Sequence, residues 1–309
     1  MSLEVGLVGL PGSGKTTLFN ALTRGHVQLG EHGKPHVGMA PVADDRLPQV
    51  AAVIGSPKAT VASIRLVDPA GTGAAQLGAL RAADALLAVL DAFSTDRSPD
   101  ASIAELELEL VVADRDHVER RLEKVRRDAK SGAAEPVAEV AQLEEALAHL
   151  EAGKLLRDFS TRLPAELEPL TTKPLIPVVN GPIGIDAAYE AELAELPEED
   201  AAAFRDGGPS ALEEVTHDLR GALDLVTFFT ANENEARAWL LRRGRTVLEA
   251  AGLVHSDMAR GFIRCEVVNW RELVEAGSRA ETARRGLQRL EGRGYVVEDG
   301  DVLNIRFNV

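Results

Sequence analysis

A single cysteine, Cys265, in 309 residues excludes an intrachain disulfide, and its place in the aliphatic run Phe262 to Val268 gives it a half-buried structural role. No apolar stretch approaches a bilayer span, and the N-terminus enters a strand-like run with Glu4 in place of a basic leader, so a membrane is not an expected partner. A reducing, cytoplasmic compartment is expected. The seven histidines form no Cys/His cluster, which argues against zinc chemistry. Positive charge is also short: a net charge of −15 argues against coating nucleic acid, because such binding neutralises phosphates with Lys and Arg. The shortage is uneven. Residues 222–309 hold thirteen Arg and no Lys against thirteen Asp plus Glu, so the whole deficit lies before residue 222. That step marks a candidate domain boundary, and any RNA contact must be local. Sequence-specific DNA is not an expected partner.

What is present is ordinary globular material, 45% hydrophobic and 27% charged, in a chain longer than one compact core. The opening reads strand (Leu3 to Val8), Gly-rich turn, helix (Lys15 to Thr23), with Gly25 as a stop. Ala62 to Val67, Ala85 to Leu90 and Pro174 to Val179 have little polar alternation, as strands buried on both faces do, and end in Asp68, Asp91 and Asn180. A parallel α/β sheet follows, with its ligand off the carboxyl ends of the strands. Between Ser98 and Lys173 the pattern becomes helical: Val111, Val118 and Val125 repeat with Leu108 and Leu122 between, and Val140, Leu143, Leu147 and Leu150 follow at 3-4-3 spacing. This predicts an antiparallel helical hairpin inserted into the sheet domain. From Leu225 a small α+β module is expected, with strands at Leu225 to Thr230, Ala236 to Leu241, Phe262 to Val268, Tyr295 to Val297 and Val302 to Val309. The boundaries are 1–98 and 174–221 for the sheet domain, 99–173 for the hairpin and 222–309 for the module.

Gly9-Leu10-Pro11-Gly12-Ser13-Gly14-Lys15-Thr16 fits G-x-x-x-x-G-K-[ST]. Its glycines let consecutive backbone N–H groups converge on phosphates where side chains would intrude. Lys15 reaches the β and γ phosphates, Thr16 offers a hydroxyl to Mg²⁺, and the helix beginning there, with Thr17, points its N-terminus at the anion. The expected nucleotide-binding residues are Gly9, Pro11, Gly12, Ser13, Gly14, Lys15, Thr16, Thr17, Gly71 and Asn180. Asp68-Pro69-Ala70-Gly71 has the D-x-x-G form in which the carboxylate acts on Mg²⁺, usually through water, and the Gly71 amide meets the γ phosphate. Thr16 and Asp68 are thus the metal residues, and Asp91 reads as structural. His255 near Asp257 could mimic a catalytic pair but is expected to be part of the module's surface. Trp239 and Phe262 read as core.

These residues together resemble the YchF-like subfamily of Obg-type P-loop NTPases, nearly end to end. Phe228-Phe229-Thr230, Glu235 to Trp239, Ala250-Ala251-Gly252, His255-Ser256-Asp257, Arg260 to Arg264 and Glu291-Gly292-Arg293 through Asp301 resemble that family's TGS module, and Arg306-Phe307-Asn308-Val309 resembles its ending. Pro41 to Leu47 and the hairpin fit too. The resemblance implies a P-loop NTPase sheet domain with a C-terminal β-grasp (ubiquitin-like, TGS) domain, binding of GTP or ATP with Mg²⁺, slow hydrolysis and association with ribosomes. Three departures stand out: Gly33 to Gly38 has no threonine where the family's switch I has one, Thr72 stands where many GTPases orient water with Gln, and Gly181-Pro182-Ile183 follow Asn180 in place of a base-reading N-K-x-D. Arg237, Arg260 and Arg264, with Arg242, Arg243 and Arg245, are candidates for a partner-binding face. Two functions therefore compete: a slow NTPase switch in translation, or a non-cycling scaffold that binds nucleotide for stability and acts through its C-terminal module.

Overall fold

A computed structural model describes residues 3–25, 35–70, 73–94, 98–129, 134–205 and 210–308. The expectations for Gly33, Lys34, Gly71, Thr72 and Val309 lie outside these residues. In chain order the elements begin β1 (Glu4–Val8), α1 (Lys15–Thr23), β2 (His36–Val42), α2 (Arg46–Ile54), β3 (Ala59–Thr60), β4 (Ala62–Asp68), α3 (Gly73–Ala79) and β5 (Ala85–Asp91). Next come α4 (Pro99–Ala129), α5 (Ala134–Glu151), β6 (Leu175–Asn180), α6 (Ala187–Ala194), α7 (Glu198–Phe204) and α8 (Ala211–Ala222). The chain ends through β7 (Leu225–Ala231), β8 (Ala236–Arg242), α9 (Val247–Val254), α10 (Ser256–Arg260), β9 (Phe262–Asn269), α11 (Trp270–Ala276), α12 (Arg279–Arg284), β10 (Arg289–Glu291) and β11 (Asp301–Phe307). No helix among the described residues is long and apolar enough to cross a membrane.

The chain divides into two compact units, one of residues 3–38 and 65–212, the other of 39–64 and 213–309. The first is built on a five-stranded sheet of order β2-β4-β1-β5-β6. Its β1 lies between β4 and β5, parallel to both, and β5 is parallel to β6. The run Ala85 to Leu90 is buried along its whole length, as a strand covered on both faces must be. Parallel pairing sets the carboxyl ends of these strands at one sheet edge, where Val8 leads into the Gly-rich loop, β4 ends in Asp68, and Asp91 pairs with Asn180.

The helix α4 serves two cores. Leu106, Leu110 and Ala113 pack with Leu86, Ala88 and Leu90 of β5, whereas Val118, Leu122 and Val125 pack with Leu143, Ala146 and Leu150 of α5. Leu108, expected on the hairpin seam, is 58% exposed instead, because α4 at that turn presents Leu106 and Leu110 to the sheet. Where the two cores meet, the buried Asp114 carboxylate accepts from Arg81 Nη1, the amides of Leu170 and Thr171, and Thr171 Oγ1 at 2.7–3.0 Å. These four donors satisfy the buried side chain.

The second unit carries a six-stranded sheet of order β10-β9-β11-β7-β8-β3. β11 is antiparallel to β9 and parallel to β7, and β7 is antiparallel to β8. Its core joins Val226, Phe228, Val267 and Leu303 to Val247, Ala250 and Ala251 of α9. Two features depart from expectation. Tyr295 to Val297 forms no strand and touches the fold by a bridge between Val296 and Thr246, while Arg289–Glu291 pairs with β9. Residues 39–64, expected in the sheet domain, cluster with 213–309, since β3 pairs parallel to β8 and Arg46 binds Asp299.

Candidate functional site

The loop after β1 carries glycines at φ 152° (Gly9), 82° (Gly12) and 91° (Gly14). Two of them are also fixed by close approach: a Cβ on Gly9 would lie 2.5 Å from the Val89 carbonyl oxygen, and one on Gly14 would lie 2.3 Å from Asn180 Nδ2. The loop is thereby clamped onto the ends of β5 and β6. Gly14 caps α1, whose first turn has no acidic side chain to compete with an anion at its amide-rich end. Lys15 Nζ lies over the loop, donating to the Gly9 and Leu10 carbonyls at 2.8 and 3.0 Å. Burial lowers its pKa against the opposing pull of Asp68 and Glu109. The Ser13 hydroxyl is buried in the same loop with no partner among the described residues. A partly desolvated cation and an unsatisfied hydroxyl inside a cradle of backbone amides are what an oxyanion would satisfy.

Thr16 Oγ1 donates to Asp68 Oδ2 at 2.7 Å, bringing together the two expected metal residues from α1 and β4. Asp68 is 4% exposed. Among the described residues no group of three or more His, Cys, Asp or Glu holds a metal on its own. A hydroxyl and a buried carboxylate beside a phosphate cradle fit a hard divalent cation that takes its remaining ligands from phosphate oxygens and water. The sequence did not single out His36, the first residue of β2, whose Nδ1 lies 3.7 Å from the same Asp68 oxygen. Its only local signal was its place inside the segment Gly33 to Gly38 that lacks a switch threonine.

Asn180 sits at the end of β6, but its polar atoms are engaged: Nδ2 donates to the Ser13 carbonyl at 2.9 Å and Oδ1 accepts from the Ala187 amide at 3.0 Å. It braces the phosphate loop against α6. Asp91 Oδ1 accepts from the Phe93 amide at 3.0 Å, a turn role consistent with the structural one expected for it. His255 Nδ1 accepts from the Asp257 amide at 3.1 Å, and Asp257 pairs with Arg260, so this pair caps α10. Cys265 is buried, and burial pushes its thiol up to about 12, which makes it inert. Trp239 stacks on Phe228 at 6.3 Å and donates Nε1 to Thr230 Oγ1, a packing role as expected.

The three candidate arginines do not gather on one face. Pairing register carries Arg237 through Thr230 and Leu303 to Val267, whereas Arg264, three residues before Val267 on β9, points to the opposite face of the sheet. Arg237 lies over the Trp239 ring at 4.3 Å, and Arg264 stands opposite Arg306 in register.

Residues 4–137 match the family model described as "50S ribosome-binding GTPase". Residues 225–308 match YchF-GTPase_C, described as "Protein of unknown function (DUF933)". The chain is 33% identical over 366 residues to the "Ribosome-binding ATPase YchF" of Bacillus subtilis (strain 168), covering all of both chains. It is 32% identical over 365 residues to the protein of the same name from Escherichia coli O157:H7, again covering both completely. Those alignments are longer than the chain's 309 residues, so these relatives carry segments that it lacks. Among solved structures it resembles the Schizosaccharomyces pombe YchF GTPase with a TM-score of 0.81 at 23% identity, covering 99% of this chain and 98% of that one.

Proposed function

The chain belongs to the YchF family of P-loop NTPases, and on that premise we propose that it binds ATP or GTP with Mg²⁺, hydrolyses it slowly and associates with ribosomes as a nucleotide-dependent regulator in the cytoplasm. The observation that carries this proposal is the convergence of Lys15, Thr16 and Asp68 on the clamped Gly-rich loop. Lys15 would exchange its two carbonyl acceptors for phosphate oxygens, gaining charge-assisted hydrogen bonds in place of neutral ones. Thr16 and Asp68 would hold the Mg²⁺, which supplies charge neutralisation across the β and γ phosphates. The engagement of both polar ends of Asn180 in bracing supports weak base discrimination.

The test is a Mg²⁺-dependent titration with labelled ATP and GTP, followed by a single-turnover assay with each. Binding that requires Mg²⁺ and is lost in Lys15→Ala, with slow product formation, is the expected result. Unchanged affinity in the mutant would falsify the phosphate assignment. Binding without turnover would favour the second function, a scaffold that uses nucleotide for stability.

A further inference from the structure

His36 stands at the point where β2 passes the end of β4, and the phosphate-site machinery described above does not use it. Its Nδ1 is buried and has no hydrogen-bond partner among the described residues. It faces Asp68 Oδ2 across 3.7 Å, beyond hydrogen-bond length, while the same oxygen accepts from Thr16 Oγ1 at 2.7 Å. The ring is held in place: it lies 6.3 Å from Phe19 of α1 in a tilted contact, and a Cβ on Gly38, two residues along β2, would meet Thr23 and Phe19 of that helix at 2.6–3.0 Å. An imidazole nitrogen and a carboxylate oxygen that accepts from Thr16 thus face one another beyond hydrogen-bond length. Left so, the buried nitrogen forfeits the interaction that buried polar atoms nearly always have. A cation shared between nitrogen and oxygen would satisfy both.

We propose that His36 supplies an imidazole nitrogen to the divalent ion that accompanies the bound nucleotide, taking up the ligand position left open by the absence of a threonine in residues 33–38. This rests on the nucleotide reading above and extends it to the ion's identity. A site with one imidazole nitrogen among hydroxyl, carboxylate and phosphate oxygens favours Mn²⁺ over Mg²⁺, because Mg²⁺ prefers an all-oxygen octahedron and imidazole suits transition metals.

Pulsed electron paramagnetic resonance on the full chain with Mn²⁺ and ATP or GTP tests it, because phosphorus and nitrogen couplings to the metal are read in one experiment. The expected spectrum shows phosphorus coupling from the nucleotide together with nitrogen coupling that changes on histidine-selective nitrogen-15 labelling. The nitrogen coupling vanishes in His36→Ala and His36→Gln, while the phosphorus coupling stays. In the same variants the preference for Mn²⁺ over Mg²⁺, from competition binding, falls about tenfold, the lower end for loss of a group that supports a metal. Phosphorus coupling without histidine nitrogen coupling in the wild-type chain overturns the proposal and leaves the nucleotide site standing. Absence of both couplings overturns the nucleotide reading and the proposal together.

Discussion

At Lys15, burial and hydrogen bonding pull in opposite directions: desolvation weakens the ammonium's hold on its proton, while Asp68, Glu109 and two loop carbonyls hold the cation in place. Replacing those neutral acceptors with phosphate oxygens strengthens each bond, so Lys15→Ala should weaken nucleotide binding by about 2–4 kcal/mol, measured by titration with labelled nucleotide. Asn180 makes a different prediction. Its bonds to the Ser13 carbonyl and the Ala187 amide tie the loop to α6, so Asn180→Ala should lower thermal stability by about 1–3 kcal/mol and weaken ATP and GTP binding alike. Because nothing beside Asn180 in Gly181-Pro182-Ile183 offers a carboxylate, the wild-type preference between the two nucleotides should stay below about 2 kcal/mol. A thousandfold preference in competition binding would mean that another group reads the base. The turn of the Gly-rich loop and the place of Lys15 over it were legible in the sequence because such a loop is a local backbone device with fixed spacing. The bracing by Asn180 and the approach of His36 to Asp68 were not, since both depend on which strand ends the fold brings to one edge.

Among the elements, legibility followed the physics of burial. The strands β1 and β5 read cleanly because both faces are covered, which leaves near-continuous aliphatic runs, and β4 and β6 kept enough aliphatic residues to read as strands although each carries an exposed position. The strand β2 did not: it is the edge of its sheet, half its residues face outward, and Pro41 and Gly38 interrupt its pattern. Tyr295 to Val297 had strand composition but fell in the turn that closes on Thr246, where tertiary context overrides propensity. The segment carrying α2 could not be assigned to the C-terminal unit from composition, because its attachment is made of single long-range contacts. Arg46 donates to Asp299 Oδ2 at 2.6 Å and lies over the Phe229 ring at 5.5 Å; Arg220 and the Thr227 amide donate to Asp299 Oδ1 at 2.5 and 2.8 Å. Burial pushes the Asp299 carboxyl up, but the Arg46 and Thr227 hydrogen bonds and the two guanidinium charges outweigh it and hold the group below its ordinary value. A depressed carboxylate contributes stability that is present above its unfolded value, near about pH 4, and lost as pH falls through the lower folded value. Trp239 and Trp270 both lie in this unit and are the chain's two tryptophans, so their fluorescence reports on it alone. Acid unfolding followed in this way should be less steep in Asp299→Asn than in the wild type. Identical pH profiles would show that the cluster carries no linked proton.

Across the whole molecule, charge sets the terms for a ribosome contact. The deficit of 15 lies entirely before residue 222, while residues 222–309 balance thirteen Arg against thirteen acids, so attraction to RNA phosphates has to come from a local face of the C-terminal unit. The two faces of its sheet differ. On one, Arg237 is held over Trp239; on the other, Arg264 is exposed and makes no ion pair among the described residues, while Arg306 opposite it is already paired with Glu266, so the Arg264 charge is the one left for an anionic partner. The Arg264 face is therefore the expected contact. In cosedimentation of the full chain with ribosomes at rising salt, Arg264→Glu should weaken binding and make the logarithmic salt slope shallower by about 0.7–0.9 for each phosphate no longer neutralised, whereas Arg237→Glu should leave the slope unchanged. The opposite pattern would move the interface to the Trp239 face, and unchanged slopes in both would move it off this sheet, with the α4–α5 hairpin as the next candidate. Running each condition with ATP, with GTP and without nucleotide then separates the two functions. A switch needs bound and free forms of the phosphate site to differ in their affinity for the ribosome, since a ligand shifts an equilibrium only by its differential binding to the two states. Binding that changes with nucleotide in the wild type but not in Lys15→Ala supports the switch. Binding indifferent to nucleotide in both chains assigns the phosphate site to stability and the ribosome contact to the C-terminal unit alone.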